Sequence, residues 1–400
     1  MKYDAPSATS RLSDEYESSS PSPSALALAT RIIATADREH PADTMLRAEL
    51  KSANHFVRAE AREVSRAVFA WFRWRGWIDA ARSPAEQIKH ALELADSFSE
   101  RPESVSDASL VERAVPAWTR EALEVSGAWT RAIQGGPRLW LRAKRGQGRA
   151  LAEKLGNCWI PSEPPFADTL EYHGAEDLFR APEFHAGEFE VQDIASQAVS
   201  LLCAPQPGET WWDACAGEGG KLLHLSELMQ NKGLIWASDR AEWRLKNLKR
   251  RTARAKCFNY RGAFWDGGPK LPTKTKFDGV LVDAPCSGLG TWQRNPHARW
   301  TTTPDDVREL AEVQQRLLAH VAGSVKPGGK LIYSVCTLTR AETTDVVEAF
   351  QKAFPDFEPV LLPSLANEKN PGLLASAVTM TIWPQDLGGN GMFVAAWRRK

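Results

Sequence analysis

The chain has 400 residues, which is enough for two or three domains that each bury a core. Its 43% hydrophobic and 25% charged residues are typical of a soluble globular protein, and no apolar run approaches the roughly 18 residues of a membrane span. The formal net charge is zero, so the composition predicts no general attraction to polyanions. The start of the sequence lacks the basic and apolar regions of a signal peptide, so we expect a cytoplasmic protein. The six cysteines form no C-x-x-C pair, which predicts free thiols rather than a metal site.

The first half of the chain is predicted to hold three segments. Residues 1–24 are rich in Ser and Pro and poor in large aliphatic residues, so we expect a disordered tail. Residues 25–125 show apolar positions at helical spacing and predict a helical domain. Within them, 67–77 reads as a buried helix whose aromatic residues fill a core rather than stack on bases. Residues 126–190, which include a short alternating strand at Arg138–Arg142, predict a small α+β linking segment.

From residue 191 to residue 400, strand and helix patterns alternate. This alternation predicts an α/β fold, a Rossmann-like doubly wound sheet with helices on both faces. The last two strands are separated by a Gly-rich loop, so we expect them to pair as an antiparallel hairpin at one edge. The clearest predicted strands are Thr210–Asp213, Gly233–Asp239, Phe277–Val282, Gly329–Ser334, Thr379–Ile382 and Met392–Trp397.

A Gly-rich turn, Asp213–Lys221, follows the first strand of this sheet, where such folds bind a nucleotide-like cofactor. Asp239 ends the second strand and can accept the two ribose hydroxyls, while Asp266 follows the third and can approach an adenine amino group. The glycine spacing is not G-x-G-x-x-G, and Glu218 in the turn would repel a pyrophosphate. The pattern therefore favours S-adenosylmethionine, which carries no phosphate, over a nicotinamide dinucleotide.

A basic run follows the second strand. Between Arg240 and Lys256 there are eight basic residues and a single acid, Glu242. Such a density of positive charge is typical of a surface that binds phosphate, although a solvated helix face gives the same pattern.

Two cysteines each follow a buried strand. Cys286 lies in Asp283-Ala-Pro-Cys-Ser-Gly288 and Cys336 lies in Tyr333-Ser-Val-Cys-Thr337, with about fifty residues between them that resemble one helical crossover. Strands joined in this way are parallel and close in the sheet, so both thiols could face one site. A pair of thiols at the carboxyl edge of a sheet indicates covalent chemistry.

These two motifs, in this order, resemble the Nop/Sun family of RNA cytosine-carbon-5 methyltransferases, which includes bacterial ribosomal RNA enzymes. The similarity is dense from about residue 190 to 400, thinner over 115–190, and only faint, in the form of a NusB-like helical domain, before that. Further matching segments are Val191–Ser196, Cys215–Lys221, Arg294–Pro296, Trp300, Leu310–Gln314 and Lys326–Gly329.

The resemblance implies roles for individual residues. Cys336 would attack carbon 6 of the cytosine, Cys286 would assist product release, and Asp283 would bind ring nitrogen 3. Arg294, Arg299 and Trp300 would contact the RNA, as could Trp292 and the segment 126–190. Either tryptophan could equally pack in a core. The residues expected to bind S-adenosylmethionine are Cys215, Ala216, Gly217, Glu218, Gly219, Gly220, Lys221, Asp239, Arg244, Asp266 and Asp283.

The sequence departs from the family pattern at three places. Glu218 stands where the cofactor turn usually has proline, Ala341-Glu-Thr343 replaces Glu-Glu-Asn, and Asn390–Phe393 replaces Asp-Gly-Phe-Phe. The first change bears on cofactor affinity and the others on substrate choice.

The favoured hypothesis is a monomeric RNA methyltransferase that forms 5-methylcytosine in ribosomal RNA, with no membrane partner. One alternative is a catalytically silent RNA-binding or ribosome-assembly factor, which only the altered turn supports. Another is a DNA cytosine-carbon-5 methyltransferase, which would use Cys286 as nucleophile but would leave Cys336 without a role. A nicotinamide-dependent dehydrogenase is disfavoured by the glycine spacing.

Overall fold

The computed structural model describes residues 21–52, 57–161, 165–366, 373 and 377–400. Most of the predicted tail, 1–24, lies outside these residues, and the first described helix begins at Pro23. Contacts divide the chain into two compact units. The first, called the helical unit below, comprises Met1–Pro137 with Thr291–Thr303, and the second, called the sheet unit, comprises Arg138–Gly290 with Pro304–Lys400.

Helices make up the secondary structure of the helical unit and cover the sheets of the sheet unit. The described helices are, in chain order, α1 (Pro23–Thr35), α2 (Ala42–Ser52), α3 (Arg58–Trp74), α4 (Pro84–Glu100), α5 (Asp107–Arg113), α6 (Thr119–Ala122), α7 (Gly127–Gln134), α8 (Gly148–Leu155), α9 (Pro182–His185), α10 (Ile194–Cys203), α11 (Gly220–Leu228), α12 (Glu242–Ala255), α13 (Ala298–Thr301), α14 (Pro304–Ala322), α15 (Thr344–Ala353) and α16 (Pro384–Leu387). Short 3-10 helices lie at Arg75–Trp77, Pro102–Ser104, Leu178–Arg180, Leu289–Thr291 and Arg340–Glu342.

The described strands belong to two sheets of the sheet unit. They are β1 (Leu139–Ala143), β2 (Cys158–Trp159), β3 (Thr169–Tyr172), β4 (Phe189–Val191), β5 (Thr210–Asp213), β6 (Leu234–Asp239), β7 (Tyr260–Phe264), β8 (Phe277–Asp283), β9 (Val325–Val335), β10 (Phe357–Pro359), β11 (Thr379–Ile382) and β12 (Met392–Arg399).

The helical unit shows how local sequence sets helix limits. Ser83 caps α4 by accepting from the amide of Glu86, whose side chain returns the contact, and Pro84 provides a fixed backbone angle at the first turn. Phe72 and Trp74 on α3 are buried in the core of this unit. The expectation that the aromatic run 67–77 includes core residues is thus confirmed for these two side chains.

The larger sheet has the order β10-β12-β9-β8-β5-β6-β7, with β11 also paired to β12. Strands β5, β6, β7, β8 and β9 run parallel, whereas β12 runs antiparallel to β9. The chain leaves β5 toward β6 and later returns to β8 on its other side, so the carboxyl end of β5 is a switch point of the topology. The predicted Rossmann-like doubly wound sheet is confirmed. The smaller, antiparallel sheet has the order β2-β3-β1-β4.

Alternating side chains give the larger sheet a core on each face. Trp211 lies in one core and Trp212 in the other, because successive strand residues point to opposite faces. A Cβ atom at Gly279, on the neighbouring strand, would lie 2.3 Å from the ring of Trp211, so only glycine fits there.

The sequence-based strand limits agree closely with the structure. β5 spans the predicted residues, and β11 and β12 pair as the predicted antiparallel hairpin. β9 begins earlier than expected, at Val325, because the Gly-rich stretch 326–329 continues the strand. Among the described helices, none is both long and apolar enough to cross a membrane.

Candidate active site

The two cysteines singled out by the sequence lie side by side. Cys286 follows β8 and Cys336 follows β9, and their Sγ atoms are 3.3 Å apart. The adjacency follows from the sheet, since β8 and β9 are parallel neighbours whose carboxyl ends meet at one edge. Both residues are half-buried.

The buried carboxylate of Glu342 holds the two cysteine turns together. One oxygen accepts from the amide of Ser287 at 2.8 Å, and the other accepts from the hydroxyls of Ser287, Thr337 (3.1 Å) and Thr339 (2.9 Å). Ser287 directly follows Cys286, and Thr337 directly follows Cys336. Glu342 has no exposed surface, and its hydrogen bonds compensate for the loss of hydration.

Two further buried side chains complete this network. Gln314 on α14 donates to Glu342 at 3.0 Å and to the carbonyl of Pro285, also at 3.0 Å. The hydroxyl of Tyr333 on β9 lies 2.8 Å from Oε1 of Gln314 and donates to the carbonyl of Glu342 at 2.6 Å. Burial raises the pKa of Tyr333 well above its ordinary value, so it remains a donor.

The environment distinguishes the two thiols electrostatically. The pKa of Cys286 is raised well above its ordinary value, first because its thiol donates to Sγ of Cys336 and then because of burial. The negative charges of Cys336 and Glu342 raise it further. The raised pKa favours a protonated Cys286 beside Cys336.

Asp283 connects the cysteine pair to the Gly-rich turn. Its Oδ2 accepts from Nζ of Lys221 at 2.6 Å, and its Oδ1 accepts from Oγ of Ser334 at 2.7 Å. Burial by itself would lower the pKa of Lys221, but the charge and hydrogen bond of Asp283 raise it above its ordinary value. The lysine is therefore a cation, and it fixes the carboxylate at the end of β8.

The turn after β5 forms an open cradle. Gly217 and Gly219 have φ angles of +55° and +86°, and a Cβ atom at Gly217 would meet nothing within 4 Å. The backbone leaves space for a ligand beside the start of α11, where the first amide groups of a helix have no acceptor within the helix. Asp239 of β6 closes the cradle, because its carboxylate accepts from the amides of Gly217 (3.0 Å) and Ala241 (2.8 Å).

The carboxylate of Glu218 is held toward α12. Its Oε1 accepts from Nδ2 of Asn247 at 3.0 Å. The cradle is thus lined by carboxylates and backbone amides. Nη1 of Arg244 lies 3.7 Å from Oδ2 of Asp239. This donor set fits an adenosine with a cationic sulfonium better than a pyrophosphate, which the carboxylates would repel.

The comparisons with known proteins agree with this geometry. Residues 200–398 match the family model described as 16S rRNA methyltransferase RsmB/F. These residues are a methyltransferase domain of the RsmB/F family. The cofactor of this family is S-adenosylmethionine, so the resemblance and the cofactor inferred from the sequence are both confirmed.

A curated relative and two solved structures extend the comparison. The chain is 38% identical to the probable ribosomal RNA small subunit methyltransferase B of Bacillus subtilis over 220 residues, which is 54% of this chain and 49% of that protein. The chain thus spans about half the length of this relative. A methyltransferase homologue from Pyrococcus horikoshii is similar at 26% identity and a TM-score of 0.56, over 69% of this chain and 91% of that one. The structure of PH0851 shares the fold, with a TM-score of 0.75 at 23% identity over 94% of this chain and 99% of that one.

The remaining residues that the sequence predicts to bind the cofactor differ in their surroundings. Ala216 is buried and donates its amide to the carbonyl of Ser238, which ties the turn to β6. Loss of solvation raises the pKa of Cys215, so this thiol stays neutral. Asp266 is exposed beyond the end of β7, and its Oδ1 accepts from the amide of Gly268 at 2.8 Å. Gly220 and Lys221 begin α11.

The predicted RNA contacts at Arg294, Arg299 and Trp300 belong to the helical unit. The guanidinium of Arg299 is fully buried and donates to the carbonyl of Ala114 (2.9 Å) and to Oε1 of Gln134 (2.6 Å). Burial lowers its pKa well below the ordinary value. The expectation of an RNA contact at Arg299 is therefore corrected: this side chain satisfies buried carbonyls of its own unit.

The neighbours of Arg299 are divided between core and surface. Trp292 is fully buried, so it packs in a core rather than stacking on a base. Trp300 is half-buried, and its ring N–H donates to the carbonyl of Phe72 at 2.6 Å. The guanidinium of Arg75 lies over its ring. Arg294 is exposed.

Sequence reasoning missed the network around Glu342. Glu342 was noticed only as part of a departure from the family pattern, and Gln314 only as part of a matching segment. The available signal was a single acid within the threonine-rich stretch that follows Cys336. Threonines that surround one carboxylate are expected to donate to it when the loop is buried.

Proposed function

We propose that this protein transfers a methyl group from S-adenosylmethionine to carbon 5 of a cytosine in ribosomal RNA. The reaction would proceed through a covalent bond between Cys336 and carbon 6. The observation that carries the proposal is the pair of thiols 3.3 Å apart at the edge of the sheet that also holds Asp283 and the cofactor turn. Ribosomal RNA is proposed because the relative from Bacillus subtilis is named for it.

The first role belongs to Cys336 and Asp283. The thiolate of Cys336 adds to carbon 6, and the electron pair of the 5,6 double bond moves into the ring, so that carbon 5 becomes nucleophilic. Asp283 holds ring nitrogen 3 and favours its protonated form. S-adenosylmethionine, when bound, supplies the electrophilic methyl group that carbon 5 attacks.

The second role belongs to Cys286. Once Cys336 is bonded to carbon 6, the hydrogen bond and the negative charge of Cys336 that raise the pKa of Cys286 are gone. Cys286 then loses its proton to solvent more readily and, as a thiolate, can take the proton from carbon 5. The 5,6 double bond reforms, and the bond between carbon 6 and Cys336 breaks with its electron pair returning to sulfur.

The raised pKa of Cys286 also favours this assignment over the DNA-methyltransferase alternative. That alternative needs Cys286 as the attacking thiolate, but the raised pKa favours its protonated form. It also leaves the neighbouring Cys336 without a role.

The test combines two cysteine variants with tritiated S-adenosylmethionine and ribosomal RNA. We expect Cys336→Ala to abolish methyl transfer and to form no adduct. We expect Cys286→Ala to accumulate a protein–RNA adduct that survives on a denaturing gel, because attack proceeds and release does not. Cys158→Ala, in the smaller sheet, is the matched control and should behave as the wild type.

Two results would contradict the proposal. Methyl transfer by Cys336→Ala would exclude it as the nucleophile, and the absence of any adduct with Cys286→Ala would exclude the release role. If the wild type neither binds S-adenosylmethionine in calorimetry nor methylates any RNA, the silent RNA-binding factor becomes the better account.

A further inference from the structure

The outer side of α12 and the edge strand β7 form a surface that the proposed chemistry does not use. We call it the α12–β7 surface, and it combines exposed basic and exposed aromatic side chains. The basic members are Arg240, Lys246, Lys249, Arg250, Lys256 and Arg261, and the aromatic members are Trp243, Phe258 and Phe264.

The structure divides the basic run of the sequence into two sets. Arg251 and Arg254 bond to the buried carboxylate of Glu190 on β4, so their charges are neutralised within the fold. Lys246, Lys249 and Arg250 are exposed and form no ion pair with any acid in the described part of the chain. Glu242 is the only acid of α12, so the outward face of the helix is strongly positive.

The aromatic members are unusually open to solvent. Trp243 is 57% exposed, Phe258 is 77% exposed and Phe264 is 54% exposed. One exposed aromatic side chain is ordinary, but three among cations match the composition of surfaces that bind single-stranded nucleic acid. The guanidinium of Arg244 lies 5.3 Å from the ring centre of Trp243. A base can stack on this pair of planar groups.

The position of α12 within the sheet unit connects this surface to the cofactor turn. Asn247 bonds to Glu218 in the turn at 3.0 Å, and Arg251 donates to the carbonyl of Glu218 at 3.3 Å. At the other end of the helix, Arg254 contacts β4 of the smaller sheet. The exposed cations therefore run from beside the cofactor turn to the four-stranded sheet.

We propose that the α12–β7 surface binds single-stranded RNA that flanks the target nucleotide. Lys246, Lys249 and Arg250 would contact phosphates, and the three aromatic rings would stack on unpaired bases. A protein of zero net charge gains its attraction for RNA from such a local concentration of cations. This inference rests on the proposed RNA substrate and adds the path that the strand takes to the site.

The experiment measures the affinity of the full chain for a fluorescein-labelled oligocytidylate by fluorescence anisotropy, at several salt concentrations. The test variant carries Lys246→Glu, Lys249→Glu and Arg250→Glu. The control variant reverses the same number of exposed charges on α14 and α15, at Arg308, Arg316 and Lys352. We expect the test variant to bind at least about tenfold more weakly. The slope of log affinity against log salt concentration should be shallower by about 2, because three phosphate contacts are lost. We expect the control to stay within about twofold of the wild type.

Aromatic variants test the stacking contacts separately. We expect Phe258→Ala or Phe264→Ala to weaken binding by about 5- to 100-fold with little change in salt slope. Phe179→Ala removes an equally exposed ring, 60% accessible, from another part of the sheet unit and should leave the affinity unchanged. Binding of S-adenosylmethionine, followed by calorimetry, should be the same in every variant and shows that each is folded.

Equal affinities for the test variant, the control and the wild type would overturn the inference, as would an equal loss in test and control. These outcomes differ from failure of the proposed function, because RNA binding is measured without methyl transfer. A protein that binds through the α12–β7 surface but never methylates would contradict the proposed reaction alone.

Discussion

The hydroxyls of Ser287 and Thr337 lie 2.8 Å apart, although fifty residues separate them in the sequence. Each directly follows one of the paired cysteines, and both bond to Glu342. The relative position of the two sulfur atoms therefore depends on a carboxylate that touches neither of them.

Replacing Glu342 should slow catalysis without altering the cofactor site. Glu342→Ala leaves the amide of Ser287 without its acceptor and removes one of the two acceptors of the Gln314 side-chain nitrogen, at a cost of about 3 kcal/mol of stability. We expect kcat to fall about 10- to 100-fold, because the sulfur atoms are no longer held in place. Methyl-transfer kinetics and urea unfolding measure the two effects.

Glu342→Gln is the conservative partner of this variant. Its carbonyl oxygen can accept from the amide of Ser287 and from the side-chain nitrogen of Gln314. Its NH2 group can donate to the hydroxyls of Ser287, Thr337 and Thr339, which are able to accept. We expect it to recover most of the stability and of kcat. Equal kcat for the wild type and Glu342→Ala would show that the network has no part in positioning the thiols.

The stability of the protein should fall as the pH rises, partly because of Asp213. Burial, followed by the charge of Asp283, raises the pKa of Asp213 to about 8. Between about pH 4 and pH 8 the unfolded chain has lost a proton that the folded protein keeps, so this group costs stability as the pH increases. We expect Asp213→Asn to unfold at higher urea concentration than the wild type, with an advantage that grows by about 1.4 kcal/mol per pH unit across this range. An advantage independent of pH would contradict the assignment.

Arg299 should contribute to folding rather than to RNA affinity. Arg299→Ala removes a buried cation from several carbonyl partners, and we expect it to lower the free energy of unfolding by about 3–5 kcal/mol. Arg294→Ala, at an exposed neighbouring position, should change it by less than about 0.5 kcal/mol. Urea unfolding compares the two variants. If Arg299→Ala kept its stability and lost affinity for RNA, the sequence-based role of Arg299 would be restored.

The close approach of Cys286 and Cys336 makes the site sensitive to oxidation. Diamide takes two electrons and two protons from the thiol pair and leaves a disulfide between the two sulfur atoms. We expect diamide to abolish methyl transfer and dithiothreitol to restore it. Mass spectrometry of the digested protein should find the linked peptides in the wild type and not in Cys286→Ala. Inactivation without this linkage would indicate that another thiol is responsible.

The main features of the sheet and the pairing of the cysteines could be predicted because they follow from local patterns. β5 was predicted with its observed limits from a short apolar run before a Gly-rich turn, and its neighbours from similar runs. Parallel strands joined by one crossover place their ends together, which was sufficient to bring Cys286 and Cys336 to one edge.

Features that depend on distant contacts could not be read in this way. Arg299 is basic and lies beside tryptophans, a pattern shared by RNA-binding surfaces and by buried arginines, and only its contacts with Ala114 and Gln134 distinguish the two. Glu218 suggested a disturbed cofactor turn, but its carboxylate is held by Asn247 from another helix. In both cases the decisive partner is far away in the sequence.

The assignment of Thr291–Thr303 to the helical unit limits how the protein can be divided. The polypeptide between the two cysteines leaves the sheet unit after Gly290 and re-enters it at Pro304, so a single cut near Pro137 does not yield two independent pieces. A fragment that began at Arg138 would still carry Trp292 and Arg299, whose burial in the full chain depends on residues of the helical unit that the fragment would lack. Neither unit can therefore be exchanged between proteins by simple end-to-end fusion.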